Sequence, residues 1–219
     1  MQELFQKLNN NNIEFKIKQY KHKMQKHTFE QSINNPQDWY WFQNGFTKEE
    51  LESIYKKVDE IPFEKATILG GGTDIDEIRS SSIKWIPQTS EWEWLYQRLM
   101  DYAVEANNEL WHFDLVSAPE KIQYTEYYDT AGGHYDWHQD IGPNIASQRK
   151  ISLTVQLSDT DEYEDGNLQI WRGGQAIDTV PRGAGNVVIF PSYMMHRVQK
   201  VTKGTRRSFV LWIGGQHYK

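Results

Sequence analysis

The sequence predicts a mostly β protein with α: a β-sandwich or barrel built by the second half, with helices from the first half that can cover one sheet. Three observations predict it. After Lys121 the chain breaks into short strand-like runs, "KIQYTEYY", "KISLTVQLS", "NLQIWRGG", "QAIDTVP", "GNVVIFPS", "HRVQKVT" and "RRSFVLWIGG", separated at near-regular spacing by Gly, Pro, Asp and Asn. Before Lys121, two stretches carry helix-start signals followed by apolar residues three to four apart. No composition shift marks a linker, so the 219 residues read as one domain, with an N-terminal region over 1–120 and a β core over 121–215.

Taken in order, "NNNN" at Asn9–Asn12 is a polar tract and reads as a turn. From Phe15, "FKIKQYKHKMQKH" alternates apolar and basic residues. Lys16, Lys18, Lys21, Lys23 and Lys26 then form a solvated strand face or tail, with a binding strip as the alternative. "TKEE" at Thr47 is a capping box in which Thr47 caps and Glu50 reaches back, and Leu51, Ile54 and Tyr55 continue the helix. "GGG" at Gly70–Gly72 lacks the lysine and the strand-to-helix setting of a phosphate loop. In "SEWEWLYQRLMDYAVEANNELW", Ser90 is the expected cap of a second helix and Glu93 the expected partner in its box.

Composition narrows the function. Charged residues make up 25% and the net charge is −6, which argues against a general grip on nucleic acid. The absence of cysteine excludes disulfides, thiolate zinc sites and cysteine nucleophiles. "MQELFQKLNN" has no apolar signal-peptide region, and no run approaches the roughly 18 apolar residues of a membrane span. The expectation is a soluble cytoplasmic protein with no membrane and no nucleic acid as partner. Nine Trp and twelve Tyr supply a large aromatic core, with a lined groove as the alternative.

The chemistry concentrates in "HYDWHQD". His134, Asp136, His138 and Asp140 spell His-x-Asp twice, and the period-two geometry of a strand allows all four on one face. Two histidines and one carboxylate make the facial triad of non-haem Fe(II), with the remaining positions left open. Among candidates for the third ligand, His112 lies in the helical half and His217 near the end of the sequence. His196, which follows "VVIFPSYMM" at the end of a strand, is the natural choice. A bare His-x-Asp arises by chance, and a lone strand histidine is more often a hydrogen-bonded structural residue. Downstream, Arg206 stands ten residues after His196, with Ser208 two further on. A guanidinium can clasp a carboxylate bidentately and a hydroxyl can add one bond, giving a metal end and an anion end. An isolated Arg more simply pairs with a protein carboxylate. Spacing alone leaves both His-x-Asp registers open.

These motifs together resemble the 2-oxoglutarate- and Fe(II)-dependent oxygenases of the prolyl 4-hydroxylase-like group, including the bacterial and phage PKHD-type hydroxylases. The likeness rests on Tyr128, "YDWHQD", "EYEDGNLQI", "GNVVIFPS", "HRVQKVTKGTR" and Trp212, and it covers Lys121 to Gly215 closely. "IRSSSIKWI" at Ile78 fits the same pattern. One departure is Asp165, where the family often has Gly, which bears on the shape of that turn. In the family a Tyr stands three residues before the metal His, as Tyr135 does before His138. The resemblance therefore selects His138, Asp140 and His196 as metal ligands and catalytic residues, with His134 and Asp136 as near neighbours. It implies Fe(II), 2-oxoglutarate as cosubstrate and O2, and leaves room for ascorbate. Arg206 would pair with the far carboxylate of 2-oxoglutarate. Tyr128 would reach the same cosubstrate, with Tyr127 as the alternative because "YYDTAGGHY" can slip by one. Gln156 and Ser208 would assist. Trp212, Trp137 and Tyr135 either shape the pocket or belong to the core, and Arg79 either faces substrate or pairs with a carboxylate. The related halogenases lack the carboxylate that Asp140 supplies, so the resemblance implies hydroxylation of an unactivated C–H bond, with release of succinate and CO2. The substrate implied is a protein or peptide side chain such as proline; the alternatives are a small molecule or free amino acid, and a non-catalytic cupin-like binding module. The fold implied is a double-stranded β-helix (jelly roll, cupin-like) with the metal site at one mouth and N-terminal helices on the outer sheet.

Overall fold

The structure, a computed structural model, describes residues 37–65 and 75–216, which fall within one compact unit. The Asn9–Asn12 tract, the basic run from Phe15, Gly70–Gly72 and His217 lie outside the described residues, as does residues 1–36 of the one-domain expectation. The strands, in chain order, are β1 (Tyr40–Phe42), β2 (Glu64–Lys65), β3 (Arg79–Ser80), β4 (Ser82–Ile86), β5 (Leu115–Ser117), β6 (Ile122–Tyr128), β7 (His134–His138), β8 (Arg149–Gln156), β9 (Tyr163–Asp165), β10 (Leu168–Gly173), β11 (Ala176–Thr179), β12 (Val187–Pro191), β13 (His196–Val198) and β14 (Val201–Gly215). Helices α1 (Lys48–Val58), α2 (Ile75–Ile78) and α3 (Glu93–Glu109) interrupt the first half.

Two antiparallel sheets result. The larger runs β1-β12-β8-β14-β6-β4-β2, with β5 and β9 also paired to β14; the smaller runs β11-β10-β13-β7-β3. Strand alternation explains where the site sits. On β8, Ile151, Leu153 and Val155 join an apolar cluster with Phe209, Leu211 and Ile213 of β14 and with Leu51, Ile54, Leu95, Leu99 and Ala103 of α1 and α3. The alternate residues of the same two strands are Ser152, Thr154 and Gln156, and Arg206, Ser208 and Trp212, all buried. One face of the larger sheet is therefore oily and the other carries buried polar groups, an expensive arrangement unless those groups find partners. A second apolar cluster, including Leu168, Ile170, Val188, Phe190 and Val198, fills space beside that polar face.

The Thr47 capping box forms: the Thr47 hydroxyl accepts from Glu50 N at 3.2 Å and the Glu50 carboxylate accepts from Thr47 N at 2.9 Å. The box expected at Ser90 does not. Helix α3 starts at Glu93 behind Trp92, which offers no side-chain cap. Trp92 is 2% exposed and sits in the core, and its N–H closes a turn onto Thr89 O at 3.0 Å, so burial of the indole sets the helix start and leaves Ser90 outside. Asp165 holds the turn that a Gly often makes in the family: its φ is +56°, in the left-handed region that Asp tolerates, and its carboxylate accepts from the Thr202 hydroxyl at 2.5 Å. No helix among the described residues is long and apolar enough to cross a membrane.

Candidate active site

Strands β7 and β13 pair with His138 opposite His196, and Tyr135 opposite Val198. Two residues, Asp136 and Trp137, therefore stand opposite the single Arg197, a β-bulge that breaks strict alternation. The expectation that positions 134, 136, 138 and 140 share one face is corrected by this bulge, which brings Tyr135 and His138 to the same side. The His134 ring nitrogens each lie 2.8 Å from a backbone carbonyl, of Gly132 and of Glu77, so the His134 side chain ties down local backbone. The Asp136 side chain is exposed and accepts from Trp137 N at 2.7 Å; only its backbone carbonyl serves the site.

That carbonyl accepts from His138 Nδ1 at 2.7 Å, and Met194 O accepts from His196 Nδ1 at 2.9 Å. Both Nε2 atoms are left as acceptors, the tautomer a metal requires. They lie 3.7 and 3.5 Å from the two Asp140 oxygens, and one ligand atom from each of the three residues falls within 4.8 Å of the others. Asp140 is held from several sides. Its Oδ2 accepts from the Ser152 hydroxyl at 2.6 Å, its N–H donates to Ser192 O at 2.9 Å, and its carbonyl accepts from Arg149 Nη1 at 2.9 Å. Arg149 is itself clamped by Glu120 through two contacts of 2.6 Å. None of Ser152, Ser192, Arg149 or Glu120 stands out in the sequence. Ser152 was within reach as a polar residue on the inward alternation of a strand; the other three are brought close only by tertiary pairing.

Burial, reinforced by the neighbouring His196, pushes the His138 pKa down to about 3. For Asp140, burial favours the neutral acid, but the two histidines, the Ser152 hydroxyl and Arg149 outweigh it and hold the carboxyl below its ordinary value. A neutral imidazole and a carboxylate are the protonation states that bind a cation. The sign for stability follows. The unfolded chain protonates this histidine below about pH 6.5, whereas the folded one resists down to about 3, so the unfolded state binds more protons in between and stability falls with pH across that window. Asp140 acts in the same direction at lower pH. Thermal melts of metal-free protein should show a melting temperature that drops between pH 7 and 5, with a shallower drop in His138→Gln. Equal slopes for the two proteins would contradict it.

A cavity of about 200 Å³ is lined by the triad and by Arg206, Ser208, Tyr127, Tyr135, Arg79 and Trp212 among others. Arg206 is 1% exposed. Its Nη2 donates to Gln156 Oε1 at 2.9 Å and its Nη1 to the Ser208 hydroxyl at 3.2 Å, while its buried Nε has no hydrogen-bond partner. No protein carboxylate pairs with it among the described residues, so the simpler reading of an isolated Arg does not apply here. A buried guanidinium without a counter-charge is costly, and a cavity that presents one is built for an anion. The two neutral Nε2 donors, one carboxylate and this orphaned cation fit Fe(II) and a dicarboxylate keto acid.

Strand β6 separates the two candidate tyrosines. Arg206 pairs across to Tyr127 and Thr205 to Tyr128, so Tyr127 shares the face of Arg206 and Tyr128 the opposite one. Tyr127 is buried in the cavity wall with the guanidinium of Arg206 5.4 Å from its ring, whereas the Tyr128 hydroxyl donates to Glu126 on the far side. Gln156 does not line the cavity; it holds Arg206. Trp137 also lies outside, beneath the Arg197 guanidinium at 4.6 Å, while Arg79 and Trp212 line the cavity.

The comparisons with known proteins agree with this geometry. The family model described as the 2OG-Fe(II) oxygenase superfamily matches residues 122–214, which include all three ligands. A PKHD-type hydroxylase of Acinetobacter baumannii is 30% identical over 181 residues, covering 78% of this chain and 75% of that protein. Among solved structures, a prolyl hydroxylase from Trichoplax adhaerens in complex with a hypoxia inducible factor peptide fragment superposes with TM-score 0.67 at 16% identity, covering 81% of this chain and 84% of that one. A Pseudomonas putida prolyl-4-hydroxylase superposes with TM-score 0.63 at 20% identity, covering 82% and 93%. At these identities the superpositions speak for a shared jelly-roll fold, and the relative and family match speak for descent: the chain belongs to the 2OG-Fe(II) oxygenase superfamily, as a PKHD-type hydroxylase relative, and is a hydroxylase-class oxidoreductase that uses Fe(II), 2-oxoglutarate and O2.

Proposed function

We propose that the protein hydroxylates an unactivated C–H bond of a protein or peptide side chain such as proline, acting in the cytoplasm. The core is read as a double-stranded β-helix with the site at one mouth and α1 and α3 on the outer face of the larger sheet. The observation that carries the reading is one cavity joining the His138–Asp140–His196 cluster to a buried Arg206 with no carboxylate partner among the described residues. When bound, Fe(II) with 2-oxoglutarate and O2 supplies the oxidising power that turns C–H into C–OH while the cosubstrate leaves as succinate and CO2. The protein's part is placement. His138, Asp140 and His196 would hold the metal. Arg206 binds the far carboxylate of 2-oxoglutarate, the Ser208 hydroxyl adds a donor beside it, and Gln156 keeps the fork oriented. Leu168, Val198 and Val210 line the cavity with apolar surface that keeps water from the reacting centre. Asp140 as third ligand favours hydroxylation over halide transfer. The peptide held by the Trichoplax adhaerens enzyme supports a peptide substrate for a fold of this shape.

The test is succinate release from 2-oxoglutarate with Fe(II) across a panel of proline-containing peptides, proteins and free metabolites. Peptide-stimulated succinate with a matching +16 Da product supports the proposal. Stimulation only by a free amino acid or small metabolite would replace the substrate class, and no succinate under any condition would return the chain to a binding module. Tyr127→Ala should raise the Kd for 2-oxoglutarate about tenfold, the worth of one contact to a charged group, with Tyr128→Ala unchanged. Calorimetric titration distinguishes them, and the reverse order would put Tyr128 at the cosubstrate.

A further inference from the structure

The bulge in β7 creates a stack that the reaction scheme does not use. Tyr135 and His138 face the same side, and their rings lie parallel, with centroids 3.5 Å apart and planes 14° from each other. On β3, Arg79 is the register partner of Tyr135, and its guanidinium lies 4.7 Å from the Tyr135 ring centre. Arg79 is 6% exposed, and its Nε donates to the Ser81 hydroxyl at 2.9 Å. The phenol of Tyr135 thus contacts both a guanidinium and the imidazole of a metal ligand. His196 is held differently: among the described residues it meets tilted rings, Phe190 at 4.7 Å and 59° and His138 at 4.1 Å and 54°.

We infer that Tyr135 is a positioning residue for the metal centre, fixing the ring plane of His138 by parallel stacking, and that Arg79 clamps Tyr135 from behind. The inference rests on the reading of His138, Asp140 and His196 as the metal site. The hydrogen bond from His138 Nδ1 to Asp136 O sets which nitrogen faces the metal, but one bond leaves the ring free to rock about its Cβ–Cγ axis. A second ring lying flat at 3.5 Å removes that freedom on the face it covers, and the tilted His196 ring crowds the imidazole further at 4.1 Å. An aromatic ring at position 135 is required for this; its hydroxyl is not. A lysine of equal charge lacks the planar guanidinium and the Nε bond to Ser81 that holds it over the ring, so it is a poor substitute.

The test uses Co(II), which does not turn over, with the full-length protein. Affinity is read by titration and ligand geometry by the visible ligand-field bands and the paramagnetically shifted His138 Nδ1–H proton. Tyr135→Phe should bind Co(II) as wild type does, with the same bands. Tyr135→Leu should bind it about tenfold more weakly, the low end of the 10–100-fold seen when outer-shell partners of a metal ligand are lost. Its bands should shift and the His138 Nδ1–H should exchange faster with solvent. Arg79→Lys should move the same three readouts in the same direction by less, and it decides the matter if Tyr135→Leu does not fold. Wild-type affinity, bands and exchange in a folded Tyr135→Leu, or in Arg79→Lys where Tyr135→Leu is unfolded, would overturn the assignment, as would loss of binding in Tyr135→Phe. A wild-type protein that took up no Co(II) would overturn the metal reading itself, and the assignment with it.

Discussion

Asp140→Ala and His138→Ala are expected to lose Fe(II) and all 2-oxoglutarate turnover, whereas Asp136→Ala and His134→Ala keep most of their metal affinity. The two His-x-Asp pairs are alike in sequence but not in surroundings. Asp140 is buried and lies within 3.7 Å of both imidazole Nε2 atoms, while the Asp136 carboxylate is exposed and turned to its own backbone. Removing Asp140 leaves two neutral nitrogens and no negative charge for a dication, a larger loss than the about 10–100-fold cost of losing an outer-shell partner. Asp136 cannot take its place, because its carboxylate is exposed and already accepts from Trp137 N at 2.7 Å. Asp136→Ala also keeps the backbone carbonyl that tethers His138. His134→Ala should lower thermal stability, since it releases the carbonyls of Gly132 and Glu77, without releasing iron. Metal titrations on the four variants decide between registers. Retention of iron by Asp140→Ala with loss in Asp136→Ala would shift the site by four residues.

Arg206→Ala should weaken 2-oxoglutarate binding by about 2–5 kcal/mol, roughly 30-fold to several thousandfold, with Fe(II) affinity unchanged. The magnitude follows from burial: at 1% exposure the guanidinium meets an anion with little water between them, and its Nε has no protein partner to fall back on. Arg207 cannot compensate. It shares the opposite face of β14, where Glu126 engages it at 3.2 Å and Glu162 at 3.4 Å. Arg206→Lys keeps the charge but loses the fork and should fall between the two. Calorimetry with 2-oxoglutarate on the Mn(II)-loaded variants gives the answer. Unchanged cosubstrate affinity in Arg206→Ala would mean that another group holds the far carboxylate.

Much of this was legible before any coordinates. Alternation and turn residues announced the strands, and the Thr47 box announced α1, because both are local signals that burial reinforces. Asp140, His196 and Arg206 were legible through their spacing together with the family's motif, since each lies near the end or the interior of a strand whose register the apolar residues fix. Three things were not. The β7 bulge left no mark in "HYDWH", yet it decides that Tyr135 rather than Asp136 shares the face of His138. The choice between Tyr127 and Tyr128 turns on a one-residue slip, which moves a side chain across the sheet, and only the strand pairing puts Tyr127 on the face of Arg206. Ser90 carried a correct local cap signal that the burial of Trp92 overrode. In each case a long-range contact settled what local preference could not.

The most direct test of the central claim is a crystal structure of the protein grown anaerobically with Mn(II) and 2-oxoglutarate. The result predicted is a metal held by His138 Nε2, Asp140 and His196 Nε2, with the far carboxylate of 2-oxoglutarate on Arg206 and Ser208 and the Tyr127 ring beside it. A metal on His134 or Asp136, or a cosubstrate whose far carboxylate lies away from Arg206, would contradict it.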